Sequence, residues 1–273
     1  MDTQRIFGIQ SAEEFESLAL ETFRNQYDKV PVYREFCDYL GKRPGNTHKL
    51  IQIPFLPIEF FKSHKVLREG SEVEQIFQSS GTTGATRSKH YVADLNLYKS
   101  SFTHGFQYFY GNPSKYYILA LLPSYQERSD ASLIHMVSEL ITLSSHSQSG
   151  FYKSDQIRDL LSRPQLAGTP VLLIGVSFAL LDLVQNGQIP IPKGIVMETG
   201  GMKGRRKEMV RQELHQILSR GFQLHEIHSE YGMTELLSQA YSSGQGRFYC
   251  PPWMQVHIRD TEDPLSRLGE GRT

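Results

Sequence analysis

Short apolar runs alternate along this chain with stretches of helical periodicity, and few architectures satisfy that alternation. Residues 116–122, 171–175, 194–197 and 224–228 read as strands. A helix carrying Leu133, Met136, Val137, Leu140 and Ile141 on one face follows the first, and residues 178–184 follow the second. After the third comes a helix whose Val210, Leu214, Ile217 and Leu218 share a face and whose end Gly221 marks. Strands that are apolar throughout belong in a sheet covered on both faces, and a helix after each strand makes that sheet mostly parallel. The expected fold class is α/β, mostly parallel sheets flanked by helices.

The first hundred residues read differently. Ser11 and Glu14 have capping-box spacing ahead of Phe15, Leu18, Ala19 and Phe23, which recur at helical intervals. A second helix is expected around residues 33–40, then an extended segment with Pro54, Pro57, Phe55, Phe60 and Phe61 that packs down. Residues 73–77 and 89–93 read as two strands, and Asp94 is placed to cap a helix carrying Leu97, Phe102, Phe106 and Phe109. Met254, Val256 and Ile258 alternate with polar residues, the pattern of a half-buried strand. Residues 1–252 are therefore expected to form the core domain and 253–273 to begin a following β subdomain.

Basic and acidic residues balance at 29 each in 273, so no overall field draws the chain to nucleic acid or an anionic membrane. The longest apolar stretch, residues 171–184, holds Ser177 and Asp182 and is too short for a membrane span. With no signal-like N-terminus and only two cysteines, outside any CxxC pair, the chain is expected to be cytoplasmic and reduced.

Between the two early strands lies Ser79-Ser80-Gly81-Thr82-Thr83-Gly84, preceded by Gln78. A loop without bulky side chains exposes several backbone N–H groups in one concavity, and its hydroxyls add donors, which suits a polyphosphate. A P-loop would need Gly and Lys where Thr86 and Arg87 stand, and would open into a helix rather than a strand. At the end of the fourth strand comes Tyr231-Gly232-Met233-Thr234-Glu235, which groups an aromatic, a glycine, a hydroxyl and a carboxylate. These types serve to stack on a base, admit close approach, donate to a phosphate oxygen and hold magnesium.

The two motifs, in this order and with Thr199-Gly200-Gly201 between them, resemble the adenylate-forming superfamily of acyl-CoA synthetases and luciferases. Within it, residues 53–57 (IPFLP), 122–125 (LPSY) and 269–273 (GEGRT) are most similar to the acyl-protein synthetase family of bacterial luminescence operons. The resemblance implies the large N-terminal domain of an ATP-dependent enzyme that activates a fatty or other carboxylic acid and passes the acyl group to a protein thiol or CoA. It implies that Ser79, Ser80, Gly81, Thr82, Thr83 and Gly84 grip the β- and γ-phosphates of ATP. Gly200 and Gly201 would lie along the adenine, Tyr231 would stack on it, and Gly232 would allow close approach. Thr234 would touch the α-phosphate and Glu235 would hold Mg2+, these two being the expected catalytic residues. Where the superfamily continues with Pro-Lys-Gly, this chain has residues 85–89 (ATRSK), so Arg87 or Lys89 supplies the charge. The chain stops at Thr273, ahead of the superfamily's ribose-binding aspartate, adenylation lysine and acyl-accepting cysteine, so it is expected to be part of a longer enzyme that alone adenylates poorly. An acyl-CoA ligase and a non-catalytic nucleotide-binding protein of the same fold are the alternatives.

Other candidates are weaker. Gly175-Val176-Ser177-Phe178-Ala179 resembles a nucleophile elbow without its last glycine, and Ser177 reads as a helix N-cap. His225 and His228 would face opposite sides of a strand. Cys250 has no evident acid–base partner, and the basic run 203–207 reads as a solvated face.

Overall fold

The computed structural model describes residues 3–80, 86–123, 130–163, 168–191, 193–202, 209–260 and 262–263. A one-turn helix α1 (Gln4–Phe7) precedes α2 (Ala12–Lys29) and α3 (Pro31–Tyr39), the latter opened by proline at its first position, where no hydrogen bond is lost. Ser11 Oγ caps α2 by accepting from Glu14 N at 3.2 Å. The Glu14 carboxylate reaches past the cap to Gln10 N at 2.8 Å, so the box closes one residue early. Leu20 and Phe23 of α2 join Cys37 and Ile53 in a small core of their own. The short α4 (Phe60–Ser63) follows, where Phe60 stacks on His64 and meets Phe36 edge-on, so this segment packs through its rings while Phe55 stays exposed.

Strands β1 (Gln75–Gln78) and β2 (Lys89–Val92) form an antiparallel pair with Gln78 opposite Lys89. The loop they enclose thus returns into a strand and not a helix, which sets it apart from a P-loop. Helix α5 (Leu95–Tyr110) is capped by Asp94, whose Oδ1 accepts from Leu97 N at 3.1 Å, and ends at Gly111 with φ +77°.

The main sheet is built from β3 (Tyr117–Leu121), β4 (Gly150–Phe151), β5 (Val171–Val176), β6 (Gly194–Thr199), β7 (His228–Tyr231) and β8 (Ala240–Ser242). Its order is β4-β3-β5-β6-β7-β8, parallel throughout except for β8 at one edge. Helices α6 (Ser132–Ser144), α7 (Ser154–Leu161), α8 (Ser177–Gln185) and α9 (Arg211–Phe222) connect the strands. Every residue of β5 is buried, as a strand covered on both faces must be. One large core joins the sheet to α5, α6, α8 and α9. Among the described residues no helix is long and apolar enough to cross a membrane.

Four sequence expectations shift. The fourth strand runs from His228 to Tyr231, not over 224–228, because α9 extends through Phe222 and Gln223 closes it with φ +55°. Gly221 lies inside α9 and not at its end: an added Cβ there would sit 2.5 Å from Val184, so the glycine lets α9 approach α8. Val210 is the N-cap of α9 and largely exposed rather than part of its apolar face. Residues 254–258 form no strand, and Val256 and Ile258 are exposed, since no neighbouring edge pairs with them among the described residues.

Candidate functional site

An open cavity of about 400 Å³ lies outside the carboxyl ends of β6 and β7, where parallel sheets present their ligand sites. Its exposed rim carries Ser80, Gly200, Gly201 and Gly232, with the partly buried Ser79, Thr234 and Glu235 beside them. Its inner wall is made by Tyr98, Ala131, Met136, Thr199, Glu230 and Gln239, all buried. Side chains about 150 residues apart in sequence thus converge, because β2 is tied to the turn after β7. His90 Nδ1 on β2 lies 2.8 Å from the Thr234 carbonyl, and its ring meets Phe61 edge-on.

Seven of the twelve expected site residues therefore face one cavity: Ser79, Ser80, Gly200, Gly201, Gly232, Thr234 and Glu235. Gly81, Thr82, Thr83 and Gly84 lie outside the described residues. Tyr231 does not line the cavity wall. The residue is 42% exposed, its ring packs edge-on to Phe248, and its hydroxyl donates to Met233 Sδ at 3.2 Å. Ser79 has a structural task as well: its Oγ accepts from Ser88 N at 3.0 Å and its N donates to Ser88 O at 3.1 Å, which fastens the two sides of the loop. Arg87 and Lys89 are both exposed.

Two buried carboxylates at the strand ends escape a motif search. Glu198, 2% exposed, accepts from Ser229 Oγ at 2.7 Å, Ser177 Oγ at 3.0 Å and Arg211 Nε at 3.1 Å, with His215 Nε2 at 3.5 Å. Burial alone would raise its pKa, but the bonds from His215, Ser229 and Ser177 and the charge of Arg211 outweigh it and hold the carboxyl below the usual range. Glu198 thereby fixes the start of α9 and the ends of β6 and β7. Ser177 is the first residue of α8, with Val176 as its N-cap, and its buried hydroxyl also lies 3.2 Å from Gly200 O. That hydroxyl orients the Gly200 turn, where φ is +69°, and is not presented to solvent as a nucleophile.

Glu230 is the opposite case. The one hydrogen bond to its carboxyl among the described residues comes from Thr199 Oγ1 to Oε2 at 2.6 Å. Burial dominates, the charge of Glu198 adds to it, and the carboxyl is pushed up to about 7 despite the Thr199 bond. Gln239, 4% exposed and on the same wall, has an Oε1 with no partner among the described residues.

The remaining sequence candidates do not form sites. His228 Nδ1 lies 3.2 Å from the Tyr110 hydroxyl, and no group of three His, Cys, Asp or Glu that could hold a metal occurs among the described residues. Burial raises the Cys250 thiol, which argues against a reactive thiolate. The basic run 203–207 lies outside the described residues.

Comparison with known proteins bears on the family and the fold. The family model described as acyl-protein synthetase, LuxE, matches residues 9–273. A search of curated proteins returns no match. Among solved structures, an open conformation of 2-hydroxyisobutyryl-CoA ligase in complex with 2-HIB-AMP and CoA is similar, with a TM-score of 0.65 at 11% identity. The similarity covers 97% of this chain and 65% of that one, so this chain spans less than two thirds of the ligase's length.

Proposed function

The chain belongs to the acyl-protein synthetase family LuxE, and we propose that its cavity activates a carboxylic acid with ATP and hands the acyl group to a thiol. The observation that carries this reading is the convergence of Ser79, Ser80, Thr234 and Glu235 on one cavity at the carboxyl ends of β6 and β7. Small residues on the β1–β2 side leave room for phosphates, while a hydroxyl and a carboxylate face them from the β7 side. The polyphosphate would lie between them, with adenine along Gly200 and Gly201. Tyr231 would need a rotation of its side chain to reach the base.

A single carboxylate suits Mg2+, which arrives on a nucleotide and is held by one or two protein carboxylates plus phosphate oxygens. Glu235 would be that ligand, and the ion would neutralise charge on the phosphates. Thr234 would donate to an α-phosphate oxygen. An oxygen of the substrate carboxylate would attack the α-phosphorus, the bond to the β-phosphate oxygen would break, and pyrophosphate would leave with the electron pair. A thiolate would then attack the acyl carbon and release AMP. The chain's part is to position reactants and stabilise developing charge.

The acceptor is proposed to be a protein thiol, as the family description suggests, with CoA as the alternative drawn from the ligase, whose structure holds CoA. A cytoplasmic setting, where ATP is held, fits this chemistry. Residues 1–252 would supply the nucleotide and acid sites, and 253–273 would belong to a separate β subdomain. Quenching a reaction of the full-length protein with ATP, Mg2+ and a panel of acids, and analysing it by mass spectrometry, tests the proposal: an acyl-AMP that requires both acid and ATP supports it, and its absence with every acid removes it.

A further inference from the structure

Gly232 was expected to admit close approach, and what approaches it within the fold is a carboxyl. A Cβ there would lie 2.6 Å from Glu230 Oε1, so the bare glycine leaves that oxygen its place on the cavity wall. Glu230 is only 7% exposed, yet its Oε1 stays accessible, unlike the sealed Oε1 of Gln239. Thr199 Oγ1 donates to the other oxygen, Oε2, at 2.6 Å, which anchors the carboxyl and leaves Oε1 beside Gly232.

The groups around Glu230 set its charge. Glu198, next to Thr199 on β6, brings a second carboxylate, and Glu235 shares the cavity. Tyr98 and Tyr110 on α5, and Tyr241 opposite Glu230 on β8, are pushed up chiefly by burial and stay neutral. None of these supplies a positive charge. Burial outweighs the Thr199 bond, and the carboxyl is pushed up to about 7.

Under the function proposed above, on which this inference rests, another carboxylate must enter this space. Thr234, the proposed contact of the α-phosphate, lines the cavity two residues beyond Gly232. An acid that reaches the α-phosphorus therefore brings its carboxylate to the corner where Glu230 Oε1 lies. Two carboxyl groups in contact cannot both be ionised unless a proton lies between them.

We propose that Glu230 is a catalytic residue that enters the reaction protonated, its Oε1–H donating to the non-attacking oxygen of the substrate carboxylate while the other oxygen attacks the α-phosphorus. The proton stays on Glu230 throughout. Because the bond touches only the carboxyl group, it serves an acid of any chain length. The substrate oxygens carry most charge before attack, so the bond acts on acid binding more than on turnover.

The test is acid-dependent ATP–pyrophosphate exchange by the full-length protein, with straight-chain alkanoic acids from short to long, across neutral pH. Glu230→Leu, which cannot donate, should raise KM for the acid roughly tenfold or more with KM for ATP little changed. Glu230→Gln, whose carboxamide donates at every pH, should recover most of that loss. The wild type should lose kcat/KM for the acid as pH rises through about 7, and Glu230→Gln should lack that decline. The phosphates titrate alike in both proteins, so the difference isolates the carboxyl. Parallel pH profiles of wild type and Glu230→Gln, a Glu230→Gln no better than Glu230→Leu, or an unchanged KM in Glu230→Leu overturns the inference and leaves the activation reading intact. No exchange by the wild type with any acid overturns both. If Glu230→Leu fails to fold, the pH comparison decides alone.

Discussion

His90 on β2 donates its Nδ1 proton to the backbone carbonyl of Thr234 at 2.8 Å, a bond between residues 144 apart. It fastens the hairpin that carries the phosphate-type loop to the turn that carries Thr234 and Glu235. Burial lowers the pKa of the ring, with the Thr234 carbonyl and the Glu235 charge opposing it, so the neutral donor form suffices. Replacing His90 by Ala should leave the fold intact and weaken ATP binding about tenfold, since the bond is worth about 1 kcal/mol and its loss lets the two walls drift. Titration calorimetry with ATP and Mg2+ measures this directly.

Thr234→Ala removes a donor to the α-phosphate under the proposed function, and a hydrogen bond to a charged group contributes roughly 1.5–3 kcal/mol. The rate of adenylate formation should fall about tenfold or more. Glu235→Gln should cost more, because an ion is lost with the carboxylate, and raising Mg2+ should restore part of the rate. Steady-state kinetics at several Mg2+ concentrations separates the two variants.

Glu198→Ala strips the shared acceptor from Ser177, Ser229 and Arg211. Breaking a buried ionic network in this way should destabilise the chain by about 3 kcal/mol, read as a shift of the urea midpoint. The carboxyl sits below its usual range, so its contribution is present above the unfolded-state pKa and is lost as pH falls through the folded value.

Glu230 behaves with the opposite sign. Its carboxyl titrates near 4.5 when unfolded and about 7 when folded, so the folded state holds an extra proton between those values. Stability conferred by the neutral form is present below about 4.5 and lost as pH rises through about 7. In the absence of ligand, Glu230→Gln should therefore remove a pH dependence worth about 3 kcal/mol between pH 5 and 8. Urea unfolding of both proteins across that range shows it; parallel curves would mean that Glu230 is solvated.

Gly221→Ala would normally favour a helix interior by about 1 kcal/mol. Here the added methyl would meet Val184 at 2.5 Å, so the substitution should destabilise by about 1–3 kcal/mol. Pairing it with Val184→Ala should return part of the loss, and thermal melts of the single and double variants measure the coupling.

The sheet is legible wherever a strand is buried by apolar side chains: the runs at β3, β5 and β6 follow from composition alone. Strand β7 is displaced in the sequence reading because its buried residues are Ser229 and Glu230, whose burial is made tolerable by Glu198, Thr199 and the hydroxyls around them. The same cause hides the inner wall. Thr234 and Glu235 stand in a motif and can be found by spacing, whereas Glu230 and His90 acquire their roles only from neighbours brought together by the fold. Tyr231 also stands in the motif, and the fold packs its ring edge-on to Phe248.

The central claim is that Ser79, Ser80, Thr234 and Glu235 serve attack by a carboxylate on the α-phosphorus of ATP. Supplying the full-length protein with an acid labelled by 18O in its carboxylate, then releasing the acyl group with hydroxylamine, tests it most directly. The account predicts one labelled oxygen in the AMP formed and none in pyrophosphate. Unlabelled AMP, or ADP with the label in inorganic phosphate, would contradict it.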